Sequence, residues 1–508
     1  MDPTQNQTTS VSGQTSDDGV MQFPKKIDQV RLDQYGYFDK LYYGEHYDAF
    51  NIKGDKDFGA AYNRLRYVVA NFPGLMSRVM ADMLFGETFT IDFTDQNNQK
   101  FVDAMIADNQ LITQLYESAL SNSRRGDSLF KLRTGPLQNN PAAPEQVIFE
   151  EITPAIYFPS LDVDNNRYQP KDDVLAWIFK VNNVEYLHKE THRPGYIFHE
   201  IYRYDVQNKK IISQVDVTEF GFLEVEETGV NRSLIFHIPN VRDGSGFWGT
   251  SDYKDLSQLF FALNNRITKI DNILDKHSDP ILAVPPGVLD EKGKVKKEAL
   301  GMFEVDNENA GFNKPEYITW NANLDNAFKE IDTIVEQLFM FSEISPGTMG
   351  LDKNGVAESG RALKFKLIAT IRKRNRKIRY YDQAIKDMLE TAIELANVRG
   401  IKIGDLKPGK PERPSIDWGD GVINDVTEMV DVETKRIDAG ISSRADSIAR
   451  LDGVTPQDAK KKVKEIDSED AITPPAPVNN TSGNVTPPAK PNQPDNTNNQ
   501  NSNTNQGS

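Results

Sequence analysis

The chain contains no cysteine. That excludes disulfide cross-links and thiolate metal sites, and leaves the redox compartment open. It also lacks any run of about 18 apolar residues, so no conventional membrane-spanning helix is expected. Positive charge is in deficit: 59 Lys and Arg face 75 Asp and Glu, a formal net charge of -16. Proteins that grip nucleic acid statically are usually basic. An acidic protein can instead let a duplex slide past, because repulsion prevents sticking. The stretch from Met1 to Gly19 is polar and has no apolar signal core, so secretion by that route is not expected.

Of what is present, one long segment dominates. From Arg361 to Arg399 no Pro or Gly interrupts the chain, and Gly400 is a plausible stop. Leu363, Leu367, Ile371, Ile378, Tyr381, Ile385, Met388, Ala392 and Leu395 fit one face of an α-helix. At helical rise this is a rod about 60 Å long. Its first half is basic, with Arg361, Lys364, Lys366, Arg372, Lys373, Arg374, Arg376, Lys377 and Arg379 and no acid among them. These cations point in too many directions to share one solvated face. Three readings stay open: a solvated or salt-bridged helix, contact with nucleic-acid phosphates, or contact with an anionic membrane. Before it lies a Gly-rich loop, Ser345–Gly360, whose Gly347, Gly350, Gly355 and Gly360 keep the backbone permissive.

The remaining chain reads as α+β, and its length suggests roughly two to four domains. Residues 1–25 are rich in Thr, Ser, Gln and Asp and read as disordered. A helical stripe covers Tyr62–Phe85, with Pro73 expected to kink or split it and Gly86 to end it. A second helical stretch covers about Asn97–Ser121. From about Gln146 to Pro239 short strands prevail, at Val147–Phe149, Ala155–Phe158, Leu175–Phe179, Tyr196–Tyr202 and Ile211–Val215, with a hairpin turn at Gln207–Lys210. Two coiled-coil-like seams follow: Leu256, Phe260, Leu263, Ile267, Ile270 and Leu274, then Leu324, Phe328, Ile331, Val335 and Leu338. They suggest an antiparallel stalk with a small domain at its tip, in residues 278–323. Helices are expected at about Ile423–Ala439 and Ser443–Leu451, with a third starting at Thr455-Pro-Gln-Asp458. From about Ser468 a Pro, Asn, Thr and Gln tail cannot bury a core.

Catalytic signatures are sparse. His188 and His192 are four apart, but Lys189 stands where a zincin motif requires Glu. Asp243-Gly-Ser-Gly-Phe-Trp-Gly249 is Gly-rich yet lacks a P-loop ending and reads as a tight turn. Asp417 and Asp420 flank Trp418 and Gly419, a pairing common in loops. There is no Gly-x-Ser-x-Gly elbow. No cofactor or metal site is expected.

Several stretches, in order, resemble the portal proteins of tailed bacteriophages, the head-tail connectors, in particular the type from long-tailed phages of Gram-positive hosts. They are Asn71-Phe-Pro-Gly-Leu75, Leu84-Phe-Gly-Glu87, Trp248-Gly-Thr-Ser-Asp252, Lys276-His-Ser-Asp-Pro280 and Ser359-Gly-Arg-Ala-Leu363. The similarity covers about residues 30–467. It implies a non-enzymatic ring, typically a dodecamer, at one capsid vertex of the virion, assembled in the host cytoplasm. It further implies an α/β wing (26–240), a two-helix stem (241–277 and 324–344), a clip (278–323), a channel loop (345–360), a long wing helix (361–400), a helical crown (401–467) and a disordered tail (468–508). The implied partners are double-stranded DNA in transit during packaging and ejection, terminase, head-completion (adaptor) proteins, and capsid and scaffold proteins, with no membrane. Channel-loop residues would be Thr348, Met349, Leu351, Asp352, Lys353, Asn354 and Val356. Contacts to DNA or a neighbouring subunit would come from Arg361, Lys364, Arg372, Lys373, Arg374, Arg376 and Lys377. Two rivals stay open: a soluble enzyme with an unrecognised active site, and a ring-forming scaffold that carries no nucleic acid.

Overall fold

A computed structural model describes residues 22–52, 67–86, 89–136, 144–161, 170–244, 246–278, 281–283, 316–318, 324–349, 351, 364–419 and 426–472. The chain divides into two units, Met1–Asn424 and Asp425–Ser508.

The first unit opens with helices α1 (Lys26–Tyr42), α2 (His46–Ala49) and α3 (Phe72–Phe85). The stripe expected from Tyr62 is shorter than its periodicity suggests. Residues 67–71 are not helical, and α3 starts at Phe72 with Pro73 in its first turn, where the missing N–H costs nothing. Asn71 caps it, accepting from the Gly74 N–H at 3.0 Å and donating to the Tyr42 carbonyl at 3.0 Å. After β1 (Thr90–Asp92), the next helical stretch is two helices, α4 (Gln96–Asn109) and α5 (Leu111–Arg125). Gln110 separates them in a left-handed conformation, φ 51°.

Two antiparallel sheets follow. β2 (Asp127–Pro136), β3 (Glu145–Ile152) and the later β9 (Ile235–Pro239) form one, in the order β3-β2-β9. The other comprises β4 (Asp173–Val181), β5 (Val184–Arg193), β6 (Tyr196–Asp205), β7 (Lys210–Val215) and β8 (Val225–Glu227), with β8 paired to β6. The strands expected at 147–149, 175–179, 196–202 and 211–215 are present. At 155–158 a 3-10 turn, Pro154–Ile156, takes the place of a strand, because Pro154 cannot donate to a ladder and Thr153 caps the turn. β2 and β5 carry several charged residues among their apolar ones, which hid them from an apolar search.

Helix α6 (Ser257–Ser278) and helix α7 (Leu324–Ser342) are joined through the short strands β10 (Ile281–Ala283) and β11 (Glu316–Ile318), paired antiparallel. Their shared seam buries Phe260, Leu263, Ile334 and Leu338 with Leu41 of α1 and Met76 and Met80 of α3. The long helix α8 (Ile368–Arg399) spans 32 residues, about 48 Å, and ends at Gly400 with φ 67°. A turn at Leu367 separates it from a short helical stretch at 364–366. Its second half buries Tyr381, Ile385, Met388, Leu389, Ala392 and Ile393 against α3, α4, α5 and the first sheet, in the largest core cluster. Each such large side chain contributes about 1.5–3 kcal/mol of transfer free energy. β12 (Ser415–Asp417) then pairs with β1. Residues 401–419 thus belong to the first unit.

The second unit holds α9 (Val426–Asp438), α10 (Arg444–Asp452) and α11 (Pro456–Ile472). Ser443 and Asp446 form a reciprocal capping box on α10. Glu433 of α9 ties to α10 by accepting from Ser447 at 2.7 Å and Arg450 at 2.8 Å. The Arg450 hydrogen bond, then that of Ser447, pulls its carboxyl down to about 2. α11 runs to Ile472 rather than stopping near Ser468, since the first helix-breaking residue beyond it is Pro474. The N-terminal residues 1–21 and the tail 473–508 lie outside the described residues.

Candidate functional site

Three of the basic residues singled out by sequence, Lys373, Arg374 and Lys377, meet where α8 crosses the ends of three helices. Asp252, just before α6, lies at the centre with its side chain 6% exposed. Its carboxylate takes Lys377 Nζ at 2.8 Å and Lys373 Nζ at 3.1 Å. Ser123 Oγ at 2.7 Å and Asn240 Nδ2 at 3.1 Å complete its hydrogen bonds. Burial alone would raise the Asp252 pKa, but the two ammonium groups, Lys373 first, hold it well below the usual carboxylate range. Lys377 is pushed down to about 8, chiefly by burial and despite Asp252, with the Lys373 charge adding to the shift.

Two cations of this half, Lys373 and Arg374, also cap helices. Lys373 Nζ donates to the Ser342 carbonyl at 2.9 Å, at the C-terminus of α7. Arg374 donates to the Met83 carbonyl at 2.5 Å, in the last turn of α3, and to the Trp418 carbonyl at 2.6 Å. Cations belong at helix C-termini, where carbonyls are unsatisfied and the dipole is negative. Arg376 pairs with Glu343, just beyond α7. The charged ends of Lys373, Arg374 and Lys377 thus lie buried in the chain, held by partners of the same chain. The salt-bridged reading fits Lys373 and Lys377, with the acid, Asp252, supplied by the same chain, while Arg374 donates to backbone carbonyls. Arg372 is exposed, Lys364 is half-buried, and Arg361 lies outside the described residues.

The Trp248–Asp252 stretch makes this geometry possible. Trp248 stacks on the Arg31 guanidinium at 4.0 Å. Gly249 donates to Asp127 Oδ1 at 2.9 Å and passes so near Gly126 that an added Cβ would meet the Gly126 carbonyl oxygen at 2.0 Å. Ser251 Oγ donates to the Arg124 carbonyl at 2.5 Å. The turn is thus a structural clasp, as the missing P-loop ending suggests.

Of the channel-loop residues, Thr348 and Met349 lie in a 3-10 turn, Pro346–Met349, and Leu351 is 56% exposed. The turn is anchored to α8, since the Ser345 N–H donates to Thr370 Oγ1 at 2.7 Å. Asp352, Lys353, Asn354 and Val356 lie outside the described residues.

His188 and His192 are buried on one face of β5 with Glu190 between them. His188 Nε2 meets His199 Nδ1 at 3.1 Å, and burial, then His199, lowers its pKa to about 4. Glu190 pairs with His192 and with Lys131 at 2.5 Å. Sequence reading missed His199, which only the β5–β6 pairing brings close, and the Asp127–His237 contact at 2.7 Å. Among the described residues no group of three or more His, Asp or Glu is arranged to hold a metal ion. Asp417 Oδ1 accepts from the Gly419 N–H at 3.0 Å in a local turn, while Asp420 lies outside the described residues. Nor is any described helix long and apolar enough to cross a membrane.

A search of the curated proteins finds no match to this chain. Among solved structures, a chain titled as the virion of a native gene transfer agent particle is similar at 10% identity and TM-score 0.44, over 77% of this chain and 92% of that one. A chain from the neck of an empty gene transfer agent particle, computed with C6 symmetry, is similar at 10% identity and TM-score 0.43, over 78% and 93%. The family model for the phage portal protein, SPP1 Gp6-like, matches residues 162–473, which include the second sheet, both seam helices, the basic junction and the helices of the second unit. With that span covering more than half of its 508 residues, the chain belongs to the SPP1 Gp6-like family of phage portal proteins.

Proposed function

We propose that the chain forms a closed homo-oligomeric ring, of twelve copies, through which double-stranded DNA enters and leaves a phage capsid at one vertex. The observation that carries this is the α6–α7 pair. Its inner seam is buried within the protomer, yet Leu274, Phe328, Met340 and Phe341 are 48%, 49%, 70% and 62% exposed. Large apolar side chains left open on a helix pair call for a protein partner, and in a ring that partner is the next copy. On this reading α6 and α7 are the stem. The β10–β11 end is the clip that docks terminase during packaging and head-completion proteins afterwards. Residues 345–360 face the channel, α8 is the long wing helix, and the helices of the second unit form the crown. The protein performs no chemistry of its own; a separate motor moves the DNA past a ring whose net negative charge weakens capture of phosphates.

Capsid assembly with and without the chain tests this reading. Capsids that fill with DNA only when the chain is present support it; DNA filling that is independent of the chain overturns it. For the loop, bulky replacements at Val356 and Ala357 should leave rings intact and lower packaging. Unchanged packaging in that variant and in a shortened loop would remove the loop from translocation.

A further inference from the structure

The basic half of α8 has a second side. Ile368, Arg372, Asn375 and Arg379 recur at spacings of four, three and four, and all are exposed. At about 100° per residue they lie on the side of the helix turned away from Lys373 and Lys377. Arg372 and Arg379 have no ion pair or hydrogen bond among the described residues. The apolar end of this stripe is Ile368, 41% exposed, with Phe365, 63% exposed, just before it.

Helix α7 carries the complement. Asp325, Lys329, Asp332, Glu336 and Met340 fall on one exposed stripe of net negative charge, turned away from the buried Leu338 and Ile334. Asp325 and Asp332 have no ion pair or hydrogen bond among the described residues. The spacings agree: Arg372 to Arg379, and Asp325 to Asp332, are each about 10 Å along a helix. Run antiparallel, the arginines meet the aspartates while Ile368 and Phe365 reach Met340, about 12 Å beyond Asp332.

We infer that the outward stripe of α8 docks on the outward stripe of α7 in the next copy of the chain. This rests on the ring reading above and names the surface that builds the ring. A cationic stripe repels itself and an acidic one does likewise, so each selects the other. Such a contact is heterologous and closes into a ring when the rotation per copy divides a full turn. The charged contacts fix register and partner choice more than affinity, and they weaken with salt; the apolar end supplies the area removed from water.

Charge reversal in the full chain tests the inference. One variant carries Arg372→Glu and Arg379→Glu; another carries Asp325→Lys and Asp332→Lys. All four sites are exposed, so far-UV circular dichroism and melting should match the wild type. Each variant alone should remain monomeric by native mass spectrometry at concentrations at least ten times those at which the wild type forms rings. Mixed in equal amounts they should co-assemble, because alternation restores every pair, and the rings should contain the two chains one to one. Reversed variants that form rings as readily as the wild type, or a mixture that stays monomeric, overturn the stripe pairing. A neutral variant, Arg372→Gln with Arg379→Gln, checks the sign: its assembly should be weakened less than that of the reversed one, and an equal or greater loss would also overturn it. Should the wild-type chain itself stay monomeric, the ring reading fails, and with it this interface.

Discussion

Asp252 is the residue on which the junction turns. One buried carboxylate faces two ammonium groups, so its removal leaves both without an anion. Asp252→Asn should therefore destabilise the first unit by about 3–5 kcal/mol, read by chemical denaturation. Its folded pKa is depressed, so its contribution is complete above the ordinary carboxylate range and is lost as pH falls below it. Lys377 has the opposite sign. With a folded pKa near 8 and an ordinary lysine value when unfolded, the unfolded chain holds the proton more tightly. Stability at this site should rise as pH climbs from about 8 toward about 10. Melting curves of wild type and Lys377→Met across that range should diverge in favour of the wild type; a constant difference would show that the ammonium group is not desolvated. None of this was visible in the sequence. The cations were legible as a run, but Asp252 is more than a hundred residues away, and only the fold brings the two together.

At the scale of elements, α8 joins what the rest of the chain builds separately. Its apolar half fills the largest core, and its basic half caps α3 and α7. Arg374→Met should leave the Met83 and Trp418 carbonyls without their donor and cost about 1–3 kcal/mol. The clasp at Gly249 admits no side chain, because the Gly126 backbone lies in its way. Gly249→Ala should lower the melting temperature by several degrees unless the two loops separate, and a melting temperature equal to wild type would contradict the close approach. The seam helices, the α8 terminus at Gly400 and four of the strands were readable from periodicity and punctuation, since those patterns are local. The α3 start was not: Leu65, Val68 and Val69 keep helical spacing on a segment whose described part is not helical, with Val68 and Ala70 bonding to α6 side chains instead. Equally hidden were β2 and β5, whose buried Asp127, His188 and Glu190 look like solvent-facing residues until their partners are known.

For the whole molecule, composition set useful bounds and motif order gave the family, while the assembly surfaces had to be read from exposure. Truncation after Ile472 should leave both units and ring formation unchanged, because the described helices end there and the remaining residues are mostly Pro, Asn, Thr and Gln. Loss of rings on that truncation, measured by native mass spectrometry, would place an assembly determinant in the tail. The most direct measurement is electron cryomicroscopy of the purified full-length chain. A closed ring with a central channel, in which α8 of each copy lies against α7 of the next, is the expected result. Monomers under assembly conditions, or rings without a central channel, would contradict the portal reading.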